Sequence, residues 1–177
     1  MIIGISGKMY SGKSTVANIL QQSYPELGFL DKPFAGPLKQ SLASMFNENI
    51  ANFYNQDFKN NHILLPNMTT REVMQKYGQA MRNIYKNFWI YLNLKDYKKE
   101  KNWLIPDVRF RNEADAIQQL GGIVIRVESK RSLPSTDVSE TALDNYENFH
   151  IIITNDGTKD DLTEKTQEAF KLITHQF

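Results

Sequence analysis

Cysteine is absent from the 177 residues. Its absence removes a disulfide framework, a thiolate zinc site and a cysteine nucleophile together, and it permits a reducing compartment. Long apolar runs are also missing: the longest reach about five residues, against the roughly 20 that span a bilayer. No basic stretch leads into an apolar segment near Met1, so the expectation is a soluble, cytoplasmic protein with no membrane partner. Neither sign of charge dominates. Lys plus Arg number 21 and Asp plus Glu 20, and the resulting +1 gives no global field to draw in a nucleic-acid polymer. Histidine is scarce, and its positions at 62, 150 and 175 have no metal-binding or triad spacing. Arginine is scarce too, at six, but all six fall between Arg71 and Arg131.

What is present alternates between strand and helix patterns. Met1 to Ser6 reads as a short buried strand, and Ser14 to Ser23 carries helical spacing through Val16, Ala17, Ile19 and Leu20. Gly28 to Leu30 is a weak strand. Pro37 opens a helix with Leu38, Leu42, Met45 and Phe46 on one side. Residues 47 to 67 contain seven Asn and read as a surface insertion or loosely helical excursion. Thr69 or Thr70 caps a helix running to about Asn83, and a further helical stretch covers Tyr85 to Tyr97. Strands are predicted at Trp103 to Pro106, Ile123 to Val127 and Phe149 to Thr154, with a helix at Asn112 to Leu120. Thr158, with Asp161 three residues on, caps the last helix. Such alternation implies one parallel α/β sheet covered on both faces.

The strongest motif is Gly7-Lys8-Met9-Tyr10-Ser11-Gly12-Lys13-Ser14, a full match to G-x-x-x-x-G-K-[ST] between a predicted strand and a predicted helix. In that setting Gly7 and Gly12 let backbone amides wrap a phosphate, and the helix N-terminus adds partial positive charge. Ser11, Gly12, Lys13, Ser14 and Thr15 are the candidate nucleotide contacts, Lys13 bridging outer phosphates and Ser14 ligating magnesium. A nucleoside triphosphate with Mg2+ is therefore the expected cofactor. Thr158-Lys159-Asp160-Asp161 mimics a guanine-reading motif, but a helix cap explains it, and no D-x-x-G follows Leu104 to Pro106. A GTPase switch is disfavoured.

A small-molecule kinase needs cations around an anionic acceptor as well. On the helix from Thr70, Val73, Met74, Tyr77, Ala80, Met81 and Ile84 fall in an arc of about 120°, the expected core face. Arg71 and Arg82 project within about 20° of each other on another face, with Gly78 beside them. A mid-helix glycine signals close approach to the backbone, by substrate or by a neighbouring aromatic; both readings stay open. Asp107 follows the strand at Leu104 to Pro106, where such sheets bind ligands, and suits the magnesium shell; Arg109 lies two residues on. Lys130 and Arg131 lie in a polar stretch suited to a lid. Phe34, Phe88, Trp89 and Tyr91 offer flat apolar surface, mostly for the core.

Taken together these residues resemble the phage-type deoxynucleoside monophosphate kinases, which are similar to animal phosphomevalonate kinases. The resemblance is carried by the loop from Gly7 to Ser14, Phe34-Ala35-Gly36-Pro37-Leu38-Lys39, and the helix with Gln75, Gly78 and Arg82 leading to Trp89. It continues through Asp107-Val108-Arg109-Phe110 with Asn112-Glu113, Val138-Ser139-Glu140, and Asn155-Asp156-Gly157. It implies a three-layer P-loop kinase fold: five parallel strands in the order 2-3-1-4-5, helices on both faces, an acceptor-binding part over about 34–98 and a lid over about 128–142. It further implies that Lys39, Arg71, Gly78, Arg82, Trp89, Asp107, Arg109 and Glu140 serve the acceptor. Lys13, Arg109 and Arg131 would act in transfer, and Asn155 to Gly157 would border the adenine. Asp137 stands where that family carries histidine. The implied reaction is phosphorylation of a deoxynucleoside monophosphate by ATP, in the host cytoplasm for a phage-encoded chain. Phosphomevalonate kinase activity, an ATPase or binding module without a small acceptor, and a homodimer all stay open.

Overall fold

The structure is a computed structural model describing residues 1–174; His175 lies outside the described residues. In chain order the elements are β1 (Ile2–Ser6), α1 (Lys13–Ser23), β2 (Leu30–Asp31), α2 (Gly36–Phe46), α3 (Gln56–Asn61), β3 (Ile63–Leu65) and β4 (Met68–Thr69). There follow α4 (Thr70–Ile84), α5 (Phe88–Leu94), β5 (Trp103–Val108), α6 (Arg111–Gln119), β6 (Ile123–Glu128), α7 (Val138–Thr141), β7 (Ile151–Thr154) and α8 (Lys159–Thr174). They form two compact units, one of Met1–Pro33 with Tyr97–Phe177 and one of Phe34–Asp96.

The first unit is built on a five-stranded sheet in the order β2-β5-β1-β6-β7. Every neighbouring pair is parallel. Counted along the sheet's own strands this is the expected order 2-3-1-4-5. All five residues of β1 are buried, as a central strand covered on both faces requires. Val16, Ile19 and Leu20 of α1 share a core with Leu162, Phe170 and Ile173 of α8 and with Ile3, Ile5 and Ile125 of the sheet. Helix α6 covers the opposite face: a Cβ on Gly4 of β1 would lie 2.8 Å from Val108 and against Ile117 of α6. The phosphate loop thus leaves the C-terminal end of the central strand.

The second unit packs α2, α4 and α5 around Leu38, Leu42, Phe53, Val73 and Trp89. Its Asn-rich segment is more ordered than a surface excursion. Asn49 accepts a bond from the Ala51 amide (2.9 Å) to start a 3₁₀ turn, Ile50–Tyr54, and Asn55 accepts from the Phe58 amide (3.0 Å) to cap α3. Phe53 between them is fully buried, and an antiparallel hairpin of β3 and β4 completes the segment. Asparagine count signals turns, but these turns are helix caps that deliver an aromatic anchor.

Several expectations are corrected. Ala80 and Ile84 lie on the predicted core arc of α4 but are exposed, Ile84 at 75%. The stretch expected as helical from Tyr85 to Tyr97 is helical over Phe88–Leu94. Strand β5 runs on to Val108, so Asp107 lies inside it rather than after it. Asp137, for which the sequence offered no role, caps α7: its Oδ1 accepts from the Ser139 amide at 2.7 Å. As the spacing predicts, Thr158 and Asp161 cap α8 reciprocally, through Thr158 N to Asp161 Oδ2 (2.7 Å) and Asp161 N to Thr158 Oγ1 (3.1 Å). That accounts for the guanine-like motif without a base.

Candidate active site

The loop between β1 and α1 has the backbone that its sequence demands. Gly12 adopts φ +104°, and a Cβ there would collide with Asn155. Tyr10 also sits at positive φ (65°), a conformation costly for a bulky residue, with its side chain 65% exposed at the loop crest. Lys13 folds its ammonium back into the loop, donating to the carbonyls of Gly7 and Lys8, both at 2.6 Å. Burial pushes its pKa down to about 8; Arg109 and Arg126 push the same way, while Glu140 and Asp107 oppose them. The loop therefore concentrates cationic groups with incomplete compensation, which is the electrostatics of an anion site.

Around it lies a continuous polar network. Glu140 accepts from the Met9 amide (2.7 Å) and from Arg109 Nη1, which also donates to Ser139 Oγ (3.2 Å). Glu113 fixes the turn carrying Arg109 by accepting from the Arg109 amide (2.7 Å) and the Phe110 amide (3.1 Å). Asp144 pairs with Lys8 (2.8 Å) and faces Arg126 (3.5 Å), itself buried on β6 and donating to Ser6 Oγ (3.2 Å). Ser11 Oγ is buried with no partner among the described residues.

Beside the loop is a cavity of about 400 Å³ lined by Thr15, Ile19, Arg131, Asn155, Gly157 and Leu162, among others. Asn155 ties it to the loop: Nδ2 donates to the Ser11 carbonyl (2.9 Å), while Oδ1 accepts from Arg131 Nη2 (2.8 Å). Arg131 also reaches the Asn155 carbonyl (2.8 Å), so the arginine expected on a lid faces this cavity. The volume is within the range of small-molecule pockets, and the lining is mostly polar, Asn18, Gln22, Thr158 and Lys159 included.

These features fit a nucleotide. The orphaned Ser11 hydroxyl, the glycine-walled loop and the desolvated lysine all suit phosphate oxygens, and the cavity next to them suits a base and sugar. A divalent cation fits as well. Ser14, exposed near the start of α1, and Asp107 are hard oxygen donors, and magnesium keeps most of its shell for water and phosphate. Among the described residues no cluster of three or more His, Asp or Glu forms an all-protein metal site.

The second unit holds the remaining candidates. Gly78 is buried and the close approach to it is made by protein: Trp89 Nε1 donates to its carbonyl (3.0 Å), and a Cβ there would lie 3.1 Å from Leu38 and 3.4 Å from Arg82 Nη1. Trp89 is 4% exposed and packs edge-on against Tyr77 and Phe88. Arg71 is engaged by Asn60 (2.6 Å) and Gln56 (2.7 Å) of α3, and Lys39 lies over the Tyr54 ring at 3.5 Å. Arg71 and Arg82 share a helix face yet are roughly 16 Å apart along the axis. Sequence reading passed over Arg126 and Asp144 as site residues. A single arginine within the apolar run Ile123-Val124-Ile125-Arg126-Val127 was the available signal, because a buried charge demands partners.

Sheet order and loop define a P-loop protein of the parallel α/β class. A family model described as deoxynucleotide monophosphate kinase matches residues 50–166, more than half of the chain and beginning after the loop. A putative deoxynucleotide monophosphate kinase of Acanthamoeba polyphaga mimivirus is 30% identical over 89% of this chain and 90% of its own length. The deoxynucleotide monophosphate kinase of Enterobacteria phage T4 is 27% identical over 59% of this chain, which spans 46% of that protein. The crystal structure of TT1252 from Thermus thermophilus superposes with a TM-score of 0.51 at 19% identity, covering all of this chain and 97% of that one, a likeness of fold. The chain belongs to the deoxynucleotide monophosphate kinase family. Among the described residues no helix is long and apolar enough to cross a membrane.

Proposed function

We propose that this protein transfers the γ-phosphoryl group of ATP to a deoxynucleoside monophosphate, giving ADP and the deoxynucleoside diphosphate. The observation that carries the reading is the loop in which Lys13, Arg109 and Arg126 gather around a glycine-walled anion cradle, in a chain of this family. Bound ATP with its divalent cation supplies the phosphoryl group and neutralises part of its charge, an oxygen of the acceptor monophosphate displacing ADP. The chain's own part is binding and electrostatics. Loop amides and Lys13 hold phosphates, Ser14 and Asp107 offer the metal's protein donors, and Arg109 meets charge that develops on the transferring group. The cavity lined by Thr15, Arg131, Asn155 and Gly157 takes the adenosine. Arg131 contributes there and to closure over the nucleotide.

Lys39, Arg71 and Arg82 are the cations of the second unit that serve the acceptor, with Gly78 and Trp89 shaping the helix that carries Arg82. No general base is needed, because the attacking phosphate is already ionised at neutral pH. The reading also makes the protein a cytoplasmic enzyme of small substrates.

The test is ADP formation in a coupled assay across deoxynucleoside monophosphates, ribonucleoside monophosphates and phosphomevalonate. Turnover with at least one deoxynucleoside monophosphate is expected, and its loss by about 100-fold or more in Lys13→Ala, which removes a donor to developing negative charge. Arg82→Ala should raise the acceptor KM about tenfold or more and leave the ATP KM nearly unchanged. ATP hydrolysis indifferent to every acceptor would overturn the reading.

A further inference from the structure

We propose that Glu140 is a positioning residue that locks the crest of the P-loop and the Arg109 guanidinium into one arrangement, rather than a contact for substrate. The proposal rests on the kinase reading of the same site and concerns a residue whose two carboxylate oxygens are both committed within the protein. Oε2 accepts from the Met9 amide at 2.7 Å and Oε1 accepts from Arg109 Nη1. The side chain is 8% exposed, so a sugar hydroxyl or a base has no open approach to the remaining lone pairs. A carboxylate is an acceptor without a donor, and a phosphate oxygen would be repelled by it.

The surrounding segment is arranged to deliver that carboxylate. Asp137 starts α7 by accepting from the Ser139 amide, and Ser139 Oγ then accepts from the same Nη1 of Arg109 at 3.2 Å. Four residues after Glu140, Asp144 accepts from Lys8 Nζ at 2.8 Å. Carboxylates at 140 and 144 therefore grip consecutive residues of the loop, Met9 and Lys8. Arginine has many rotamers, and its side chain here is 37% exposed, so without Glu140 and Ser139 it would sample many directions. Holding it beforehand removes that ordering cost from the transition state.

The experiment is a cycle of Glu140→Gln and Arg109→Ala, with a spectroscopic arm on ligand-free protein. Glutamine keeps the shape but turns an NH2 donor toward either the Met9 amide or Arg109, so one bond becomes a donor facing a donor. Expected are a fall in kcat of about tenfold or more, an acceptor KM within about threefold of wild type, and an upfield shift of the Met9 amide proton or of the Arg109 guanidinium protons, whichever faces the glutamine NH2. The kcat loss from Arg109→Ala should be much smaller in the Glu140→Gln background than in wild type. Multiplicative losses, Met9 amide and Arg109 guanidinium resonances that are both unmoved, or a raised acceptor KM at unchanged kcat would each overturn the proposal. Should Glu140→Gln not fold, Ser139→Ala, which removes the other acceptor of the same Nη1, carries the same coupling test with Arg109→Ala. Wild-type protein that phosphorylates no monophosphate defeats the kinase reading instead, while the Met9 amide and Arg109 guanidinium resonances still judge the geometry.

Discussion

Lys13 is held at a tension that pH can read. Its ammonium is desolvated and flanked by Arg109 and Arg126, so its pKa falls from 10.5 to about 8 in the folded protein. Between those values the unfolded chain binds the proton and the folded chain does not. The cost of burying the charge is thus present below about pH 8 and is relieved as pH rises through it, so this group makes stability increase with pH there. Nucleotide binding has the opposite sign. A polyphosphate favours the charged lysine, so ADP affinity should be flat below about pH 8 and fall above it by up to tenfold per pH unit. Isothermal calorimetry in buffers of different ionisation enthalpy should show proton uptake on binding that grows from about pH 7 to about pH 9 and vanishes in Lys13→Met. Proton release in wild type would contradict the assignment.

Helix α5 is pinned to α4 by one buried hydrogen bond, from the Trp89 indole to the Gly78 carbonyl. Trp89→Phe keeps an aromatic body against Tyr77 and Phe88 but loses that bond, and should lower stability by about 1 kcal/mol. A urea midpoint shift with an unchanged slope would report it, and an unchanged acceptor KM would separate packing from substrate contact. Gly78 and Trp89 show where sequence reading stops. The spacing located a close approach to the backbone of α4 but not its source, because indole and carbonyl come from elements whose packing angle is a tertiary quantity. Thr158 with Asp161, and the P-loop itself, were legible because their chemistry is closed within a few residues. Glu140 to Met9 and Asn155 to Ser11 join positions 131 and 144 residues apart, and no local pattern encodes such pairings. The exposed end of α4 at Ile84 has a related cause: periodicity gives the direction of an apolar face, whereas coverage depends on how far neighbouring helices extend.

Across the whole molecule, the sheet is assembled from strands far apart in sequence. The central strand β1 pairs with β5, where Ile2 faces Trp103, and with β6, where Ile3 faces Ile123. At ribosomal rates a chain needs roughly 5–20 s to travel from residue 2 to residue 103, and in that interval the Ile-rich first strand has no parallel partner. Until then the strand's apolar side chains and edge hydrogen-bonding groups lack their native partners, which predicts a need for chaperone protection during synthesis. Translation arrested after residue 102 should yield chaperone-bound or insoluble nascent chains, as judged by pelleting and co-purification. Arrest at the end of the chain, with the C-terminus held clear of the ribosome by a spacer, should yield protease-resistant ones. The order in which a ribosome delivers this sequence puts the P-loop's own strand about 100 residues ahead of both strands that flank it, so the sheet that holds the loop in place closes late in the birth of the molecule.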